Sequence, residues 1–130
     1  MGYSGQVMIQ ERSIIKVADN SGAKLIKLFS KKRGKSVKGR RIGIGIGDLV
    51  SAAVIKGKTE MMKQVVFAII VRQKRPYRRP DGTRIMFEDN AAVVLKDDKG
   101  TLKGTMIKGP VAKEVCGRWP TIAKLAKIVV

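Results

Sequence analysis

The sequence predicts a mainly β fold, a small closed or partly closed antiparallel barrel followed by two short helices. Three observations predict it. Short β-rich segments separated by clusters of turn formers run from position 14 to position 95. One of them, Val65 to Val71, is apolar at every position, so it belongs at the centre of a sheet covered on both faces. Near the end of the chain the apolar spacing changes to threes and fours, the spacing of a helix. At 130 residues the chain reads as a single domain, with the barrel and a basic ribbon in 8–107 and a helical segment in 108–130. Such a length buries about two-thirds of its unfolded surface, enough to fold without staples.

The elements follow in order. Ile14 to Ala18 and Leu25 to Phe29 are strands on either side of Asp19-Asn20-Ser21-Gly22. Leu49 to Ile55 and Val65 to Val71 are joined by the polar link Lys56 to Lys63. Thr83 to Phe87 and Ala91 to Leu95 flank Glu88-Asp89-Asn90. Pro110 can open a helix through Val111 to Val115, with Gly117 ending it. Pro120 can open a second, with Ile122, Leu125, Ala126 and Val129 on one face and Lys124 and Lys127 facing away.

Lys and Arg number 28 against 10 acids, a net charge of +18 laid over an apolar content of 44%. So large an excess repels itself and favours a polyanionic partner, nucleic acid first and an anionic membrane surface second. A lone cysteine, Cys116, excludes an internal disulfide and suggests a reducing compartment. With no histidine, the usual general base and the His/Cys zinc sites are absent. The first residues lack a signal-peptide core, and Val65 to Val71 is too short to span a bilayer. The expectation is a soluble intracellular protein with no cofactor and no metal.

Two basic clusters stand out. Residues 31–41 carry Lys31, Lys32, Arg33, Lys35, Lys38, Arg40 and Arg41, and no acid falls between Asp19 and Asp48. With the glycine-alternating Gly43 to Gly47 they read as an extended loop or ribbon leaving the barrel. The second cluster is Arg72, Lys74, Arg75, Arg78 and Arg79, again without an acid, ending at the turn Pro80-Asp81-Gly82. A charged run alone is usually a solvated loop. Two such runs in a chain of this net charge favour contact with nucleic-acid phosphates, which arginine forks suit. Tyr77 among them either stacks on an unpaired base or caps a strand end half-buried. Aromatics make up only 5%, too few for a binder built on base-stacking platforms, so backbone contacts should dominate.

The other chemical patterns fail. Gly43-Ile44-Gly45-Ile46-Gly47 lacks the dinucleotide-loop spacing, since Asp48 stands where the third glycine belongs. Gly34-Lys35-Ser36 lacks the first P-loop glycine, which would be Phe29. Glu88-Asp89 and Asp97-Asp98 could hold magnesium for phosphodiester cleavage, but adjacent acids on a strand point to opposite faces. Trp119 is either partly buried core or an interface residue.

Ala68-Ile69-Ile70-Val71, then nine residues, Asp81-Gly82, four residues, Phe87, two residues, Asn90, two residues and Val93-Val94 resemble a family signature. The family is universal ribosomal protein fourteen of the large subunit. Met8-Ile9-Gln10 with VADNSGA (17–23), GIGDLV (45–50) and KGPVAKE (108–114) agree in order, so the resemblance covers nearly the whole chain from Met8. It implies a five-stranded β-barrel with a projecting β-ribbon and two small C-terminal helices. It further implies binding to large-subunit rRNA, a part in intersubunit bridges, and neighbours that include ribosomal protein three and another large-subunit protein. Small-subunit rRNA would lie across the bridge, and factors that block subunit joining would dock here, at an interface with Thr105, Met106 and Trp119. The bacterial pattern has Gly-Thr-Arg where this chain has Gly104-Thr105-Met106, which removes a guanidinium. MIQ with VADNSGA looks bacterial or organellar, whereas YRRPDG, FEDNAAVV and CGRWPTIA look archaeal or eukaryotic.

The expected function is therefore a non-catalytic, rRNA-binding constituent of the large ribosomal subunit, in the cytoplasm or alternatively in an organelle. The rivals are a free-standing RNA chaperone or translation factor on a similar barrel, and a metal-dependent nuclease.

Overall fold

The computed structural model describes residues 13–31, 44–59, 62–96 and 101–130. Its strands β1 (Ile14–Val17), β2 (Ala23–Lys31), β3 (Leu49–Gly57), β4 (Val65–Arg72) and β7 (Ala91–Leu95) close into a five-stranded barrel in the order β1-β2-β3-β4-β7. Four of the five seams are antiparallel, as expected. The closing seam is not. β1 and β7 pair in parallel through Lys16↔Ala91 and Val17↔Ala92. A long connection between them lets β7 enter from the same end as β1, which a hairpin could not do.

Alternation along β4 and β7 divides the core. Ala68, Ile70, Ala92 and Val94 point into the barrel with Ile26, Leu28, Val50 and Val54. Ile69, Val71, Ala91, Val93 and Leu95 face outward, where Phe87, Ile107, Val111, Ala112, Val115 and Ile122 cover them. The central placement expected for Val65 to Val71 is thus met, with a separate apolar layer on each face. At the end of β4 the register shifts between Ile70 and Arg72, leaving Val71 as an extra residue. Its carbonyl oxygen is taken by the Ala112 amide at 3.2 Å, which fastens the C-terminal segment to the barrel wall.

That segment departs from expectation. Pro110 does not open a helix; Pro110–Val111 form strand β8, paired in parallel with β9 (Ile128–Val129). The helix α1 begins at Lys113 and runs through Gly117 to Arg118. The reason is that the Val111 oxygen and the Ala112 amide bond to Val130 and Val71 and are unavailable to a helix. Pro120 does open α2 (Pro120–Leu125), but Val129 leaves the helical stripe and stands exposed on β9. Thr83 to Phe87 is likewise no barrel strand. Only Arg84–Ile85 (β6) pair, with Tyr77–Arg78 (β5), in a two-residue ladder outside the barrel. The ribbon expected around 31–47 falls mostly outside the described residues, apart from the end of β2 and the turn 44–48 that leads into β3.

β2 and β3 meet closely at the far end of the barrel. Gly57 pairs with Ala23, and a Cβ at Gly57 would stand 2.5 Å from the Gly22 carbonyl oxygen and 2.9 Å from the Ala23 Cα. Both obstacles are backbone, so neither can swing aside. Gly57→Ala is expected to cost about 1–3 kcal/mol of unfolding free energy. Urea denaturation reads this as a lowered midpoint at an unchanged slope, and an unchanged midpoint would contradict the close approach.

Candidate nucleic-acid interface

β4 leads directly into the second basic cluster. Gln73, 3% exposed, anchors its first turn: its Oε1 accepts from the Ile46 amide at 3.2 Å and its Nε2 donates to the Arg75 carbonyl at 2.9 Å. The backbone of the cluster is pinned again by the Lys74 amide, which donates to Asn90 Oδ1 at 2.7 Å. The hairpin tip closes with the Gly82 amide on the Arg79 carbonyl at 2.9 Å and the Arg79 amide on the Thr83 carbonyl at 2.8 Å. Gly82 has φ +93°, the left-handed residue that a three-residue hairpin loop requires. Asp81 Oδ1 accepts from the Thr83 amide at 2.9 Å, completing the turn signal read at Pro80-Asp81-Gly82.

The cluster's five cations are not equivalent. The expectation that none has a partner in its own chain is corrected for two of them. Arg72 Nε lies 3.2 Å from Asp89 Oδ1, an ion pair without hydrogen-bond geometry, and its Nη1 donates to the Lys108 carbonyl at 3.3 Å. Arg79 grips Glu114 on α1 through two nitrogens, Nε to Oε2 at 2.7 Å and Nη2 to Oε1 at 3.2 Å. The same Nη2 donates to the Val130 carbonyl at 2.6 Å. Counting along the sequence misses these partners because they come from positions 89 and 114. By contrast, the side chains of Lys74, Arg75 and Arg78 have no hydrogen bond or ion pair among the described residues, and neither does Arg84 on β6.

Tyr77 completes the clamp. Its hydroxyl donates to Glu114 Oε1 at 3.0 Å, and the Arg79 guanidinium lies 5.9 Å from its ring centre. Burial and the neighbouring Glu114 carboxylate push the Tyr77 phenol up. Burial also pushes the Glu114 carboxyl up, but hydrogen bonds from Arg79 and Tyr77 outweigh it and hold the group below its ordinary value of 4.5.

Of the first cluster, Lys31 ends β2, and Lys32, Arg33, Lys35, Lys38, Arg40 and Arg41 lie outside the described residues. The segment that follows them is well tied down. Asp48 Oδ2 accepts from the Gly45 amide at 2.7 Å, and the Trp119 indole donates to the Gly47 carbonyl at 3.0 Å. Trp119 is half-buried and packs into the outer layer. Thr105 and Met106 are held elsewhere, by Asn20: its Oδ1 accepts from both amides at 2.8 and 3.2 Å and its Nδ2 donates to Thr105 Oγ1 at 2.9 Å. Gly104 permits this, since a Cβ there would stand 2.8 Å from Asn20 Oδ1. The three residues therefore sit against different neighbours, Thr105 and Met106 against the Asp19–Gly22 turn and Trp119 against the Gly45–Asp48 turn. Of the acids weighed for catalysis, Asp89 is committed to Arg72 and Lys16, and Asp97-Asp98 lie outside the described residues.

The chain matches the family described as ribosomal protein L14p/L23e over residues 8–130. It is 55% identical over 116 residues to large ribosomal subunit protein uL14 of Nanoarchaeum equitans, covering 89% of this chain and 87% of that protein. It is 53% identical over 120 residues to the uL14 of Pyrobaculum aerophilum, covering 91% and 83%. The uL14 of Thermoplasma acidophilum is 53% identical over 117 residues, covering 89% and 87%. The chain belongs to this family. These relatives are archaeal, on the side to which YRRPDG, FEDNAAVV and CGRWPTIA point.

Family membership leaves two residues that sequence reasoning passed over. Gln73 was hidden because a lone glutamine beside five cations carries no pattern; only its burial shows that it sets the cluster's backbone. Glu114 was read as part of a helical motif, and its pairing across 35 residues has no local signal.

The sign of the Glu114 effect is fixed by its lowered carboxyl. Its contribution to stability is full above its unfolded value near 4.5 and is lost as pH falls through the lower folded value. Glu114→Gln should therefore be less stable than the native chain at neutral pH, with the gap narrowing as the pH drops below 4.5. A gap that stays constant over that range in urea melts would show that the pair is not formed. Arg79→Ala should likewise lower the midpoint, whereas Arg78→Ala should change stability by less than about 0.5 kcal/mol.

Proposed function

We propose that this chain is a non-catalytic constituent of the large ribosomal subunit that binds its rRNA through the hairpin Arg72–Arg84 and the basic segment 31–41. One observation supports the RNA contact most directly. Lys74, Arg75, Arg78 and Arg84 project from a backbone fixed at Gln73 and Gly82, with no carboxylate to neutralise them among the described residues. A pre-organised set of free cations is what phosphate binding needs, since little side-chain or backbone freedom is lost on contact. The name shared by the relatives, large ribosomal subunit protein, supplies the assembly.

Within that assembly the barrel would present its other surfaces to proteins and to the small subunit across an intersubunit bridge. Thr105 and Met106, exposed and fixed by Asn20, are the proposed protein interface, with ribosomal protein three and a factor that blocks subunit joining as candidate occupants. Trp119 contributes by bracing the Gly45–Asp48 turn beside the basic segment. The archaeal relatives favour a cytoplasmic ribosome.

Binding of the isolated chain to a large-subunit rRNA fragment should weaken with salt, each phosphate contact adding about 0.7–0.9 to the log–log slope. Arg75→Ala with Arg78→Ala should flatten that slope by about 1.4–1.8. Arg79→Ala, whose cation is already engaged by Glu114, should flatten it less. A double variant with the native slope would remove this hairpin from the RNA interface.

A further inference from the structure

Three arginines of the hairpin converge on one place. Arg75, Arg78 and Arg84, with Gln73, Pro76 and Tyr77, line an open hollow of about 310 Å³. No carboxylate lines it. Arg78 and Arg84 are moreover directly opposite each other in the β5–β6 register. Like charges in that position repel and destabilise the ladder, so the free protein holds an arrangement that an anion between them would relieve. The other described arginines with ion pairs, Arg72, Arg79 and Arg118, each have an acid of this chain as partner. These three have none among the described residues.

The hollow is also more than a cluster of charge. Pro76 and the Tyr77 ring give it an apolar wall. The wall is rigid: Tyr77 is fixed at its hydroxyl by Glu114, and the adjoining Arg75 carbonyl is held by the buried Gln73 amide. A phosphate alone would use the guanidiniums and leave this wall in contact with water. Paired RNA offers phosphates but keeps its bases stacked inside the helix, whereas a bulged or looped nucleotide offers a phosphate and a base face together.

We propose that the hollow receives a single unpaired nucleotide of an RNA, its phosphate among Arg75, Arg78 and Arg84 and its base against the Pro76–Tyr77 wall. The proposal rests on the RNA-binding reading above and adds to it a preference for an unstacked nucleotide, with Arg84 as a binding residue. Most contacts elsewhere on the chain remain backbone contacts, in keeping with its few aromatics.

The test uses the full chain and two RNA duplexes of equal length, one fully paired and one with a single-nucleotide bulge, compared by fluorescence anisotropy at one salt concentration. The bulged duplex should bind about tenfold more tightly, the size of one base stacked on an aromatic wall. Arg84→Ala, an exposed substitution, should reduce that preference to less than about twofold. Equal binding of both duplexes by the native chain, still weakening with salt, would overturn the nucleotide hollow and leave the RNA-binding reading standing. A preference that survives Arg84→Ala would also overturn it, by placing bulge recognition elsewhere. Failure of either duplex to bind in a salt-dependent way would overturn both readings.

Discussion

The structure depends on one wall, the pair β4 and β7, which is buried on both sides. Ile70 and Val94 fill the barrel, while Ile69 and Val93, their neighbours along the chain, fill the layer beneath the C-terminal segment. Burying an aliphatic side chain contributes about 1.5–3 kcal/mol. A wall used twice therefore stabilises two layers with one set of residues. It also fixes what lies at its end. The extra residue at Val71 turns the chain out of the barrel, offers its carbonyl to Ala112, and sends the backbone into the arginine cluster. The basic hairpin is thus an extension of the most rigid part of the molecule.

Charge is then divided by whether a partner exists within the chain. Arg72 and Arg79 work inward: one is tied to Asp89 and the Lys108 carbonyl, the other joins the hairpin to α1 and Val130. Arg75, Arg78 and Arg84 work outward, and the tension between Arg78 and Arg84 is left for a ligand to resolve. The clamp formed by Arg79, Tyr77 and Glu114 serves both groups. It spends one cation to hold the hairpin at a fixed angle to the C-terminal segment, so that the remaining cations meet an RNA surface already in place. A chain of net charge +18 gains doubly from such a partner, because binding relieves its own repulsion as well.

Much of the fold was legible because its strands obey simple patterns. The apolar run Val65 to Val71 announced a strand covered on both faces, and Asp19 to Gly22 and Pro80 to Gly82 announced turns that form where they stand. What was not legible depended on long-range partners. Pro110 carries a helix-opening signal, yet the demand of Val71 and Val130 for hydrogen bonds made it a strand. Val129 fits a helical stripe, yet pairing with Val111 withdrew it. At the site, the positions of the cations were evident from the sequence, but their division into paired and free was not. Asp89 and Glu114 reach them only through the fold. Arg84 escaped notice because it stands alone in the sequence and joins Arg78 only across the hairpin.

The central claim, that this chain is an integral rRNA-bound part of the large subunit, is tested most directly by sedimentation. A gently prepared lysate would be run through a high-salt sucrose gradient, with this protein followed against both subunits. The account predicts that it travels with the large subunit after the salt wash, held by many phosphate contacts at once. Release to the top of the gradient would contradict it and would favour a loosely bound RNA chaperone or translation factor.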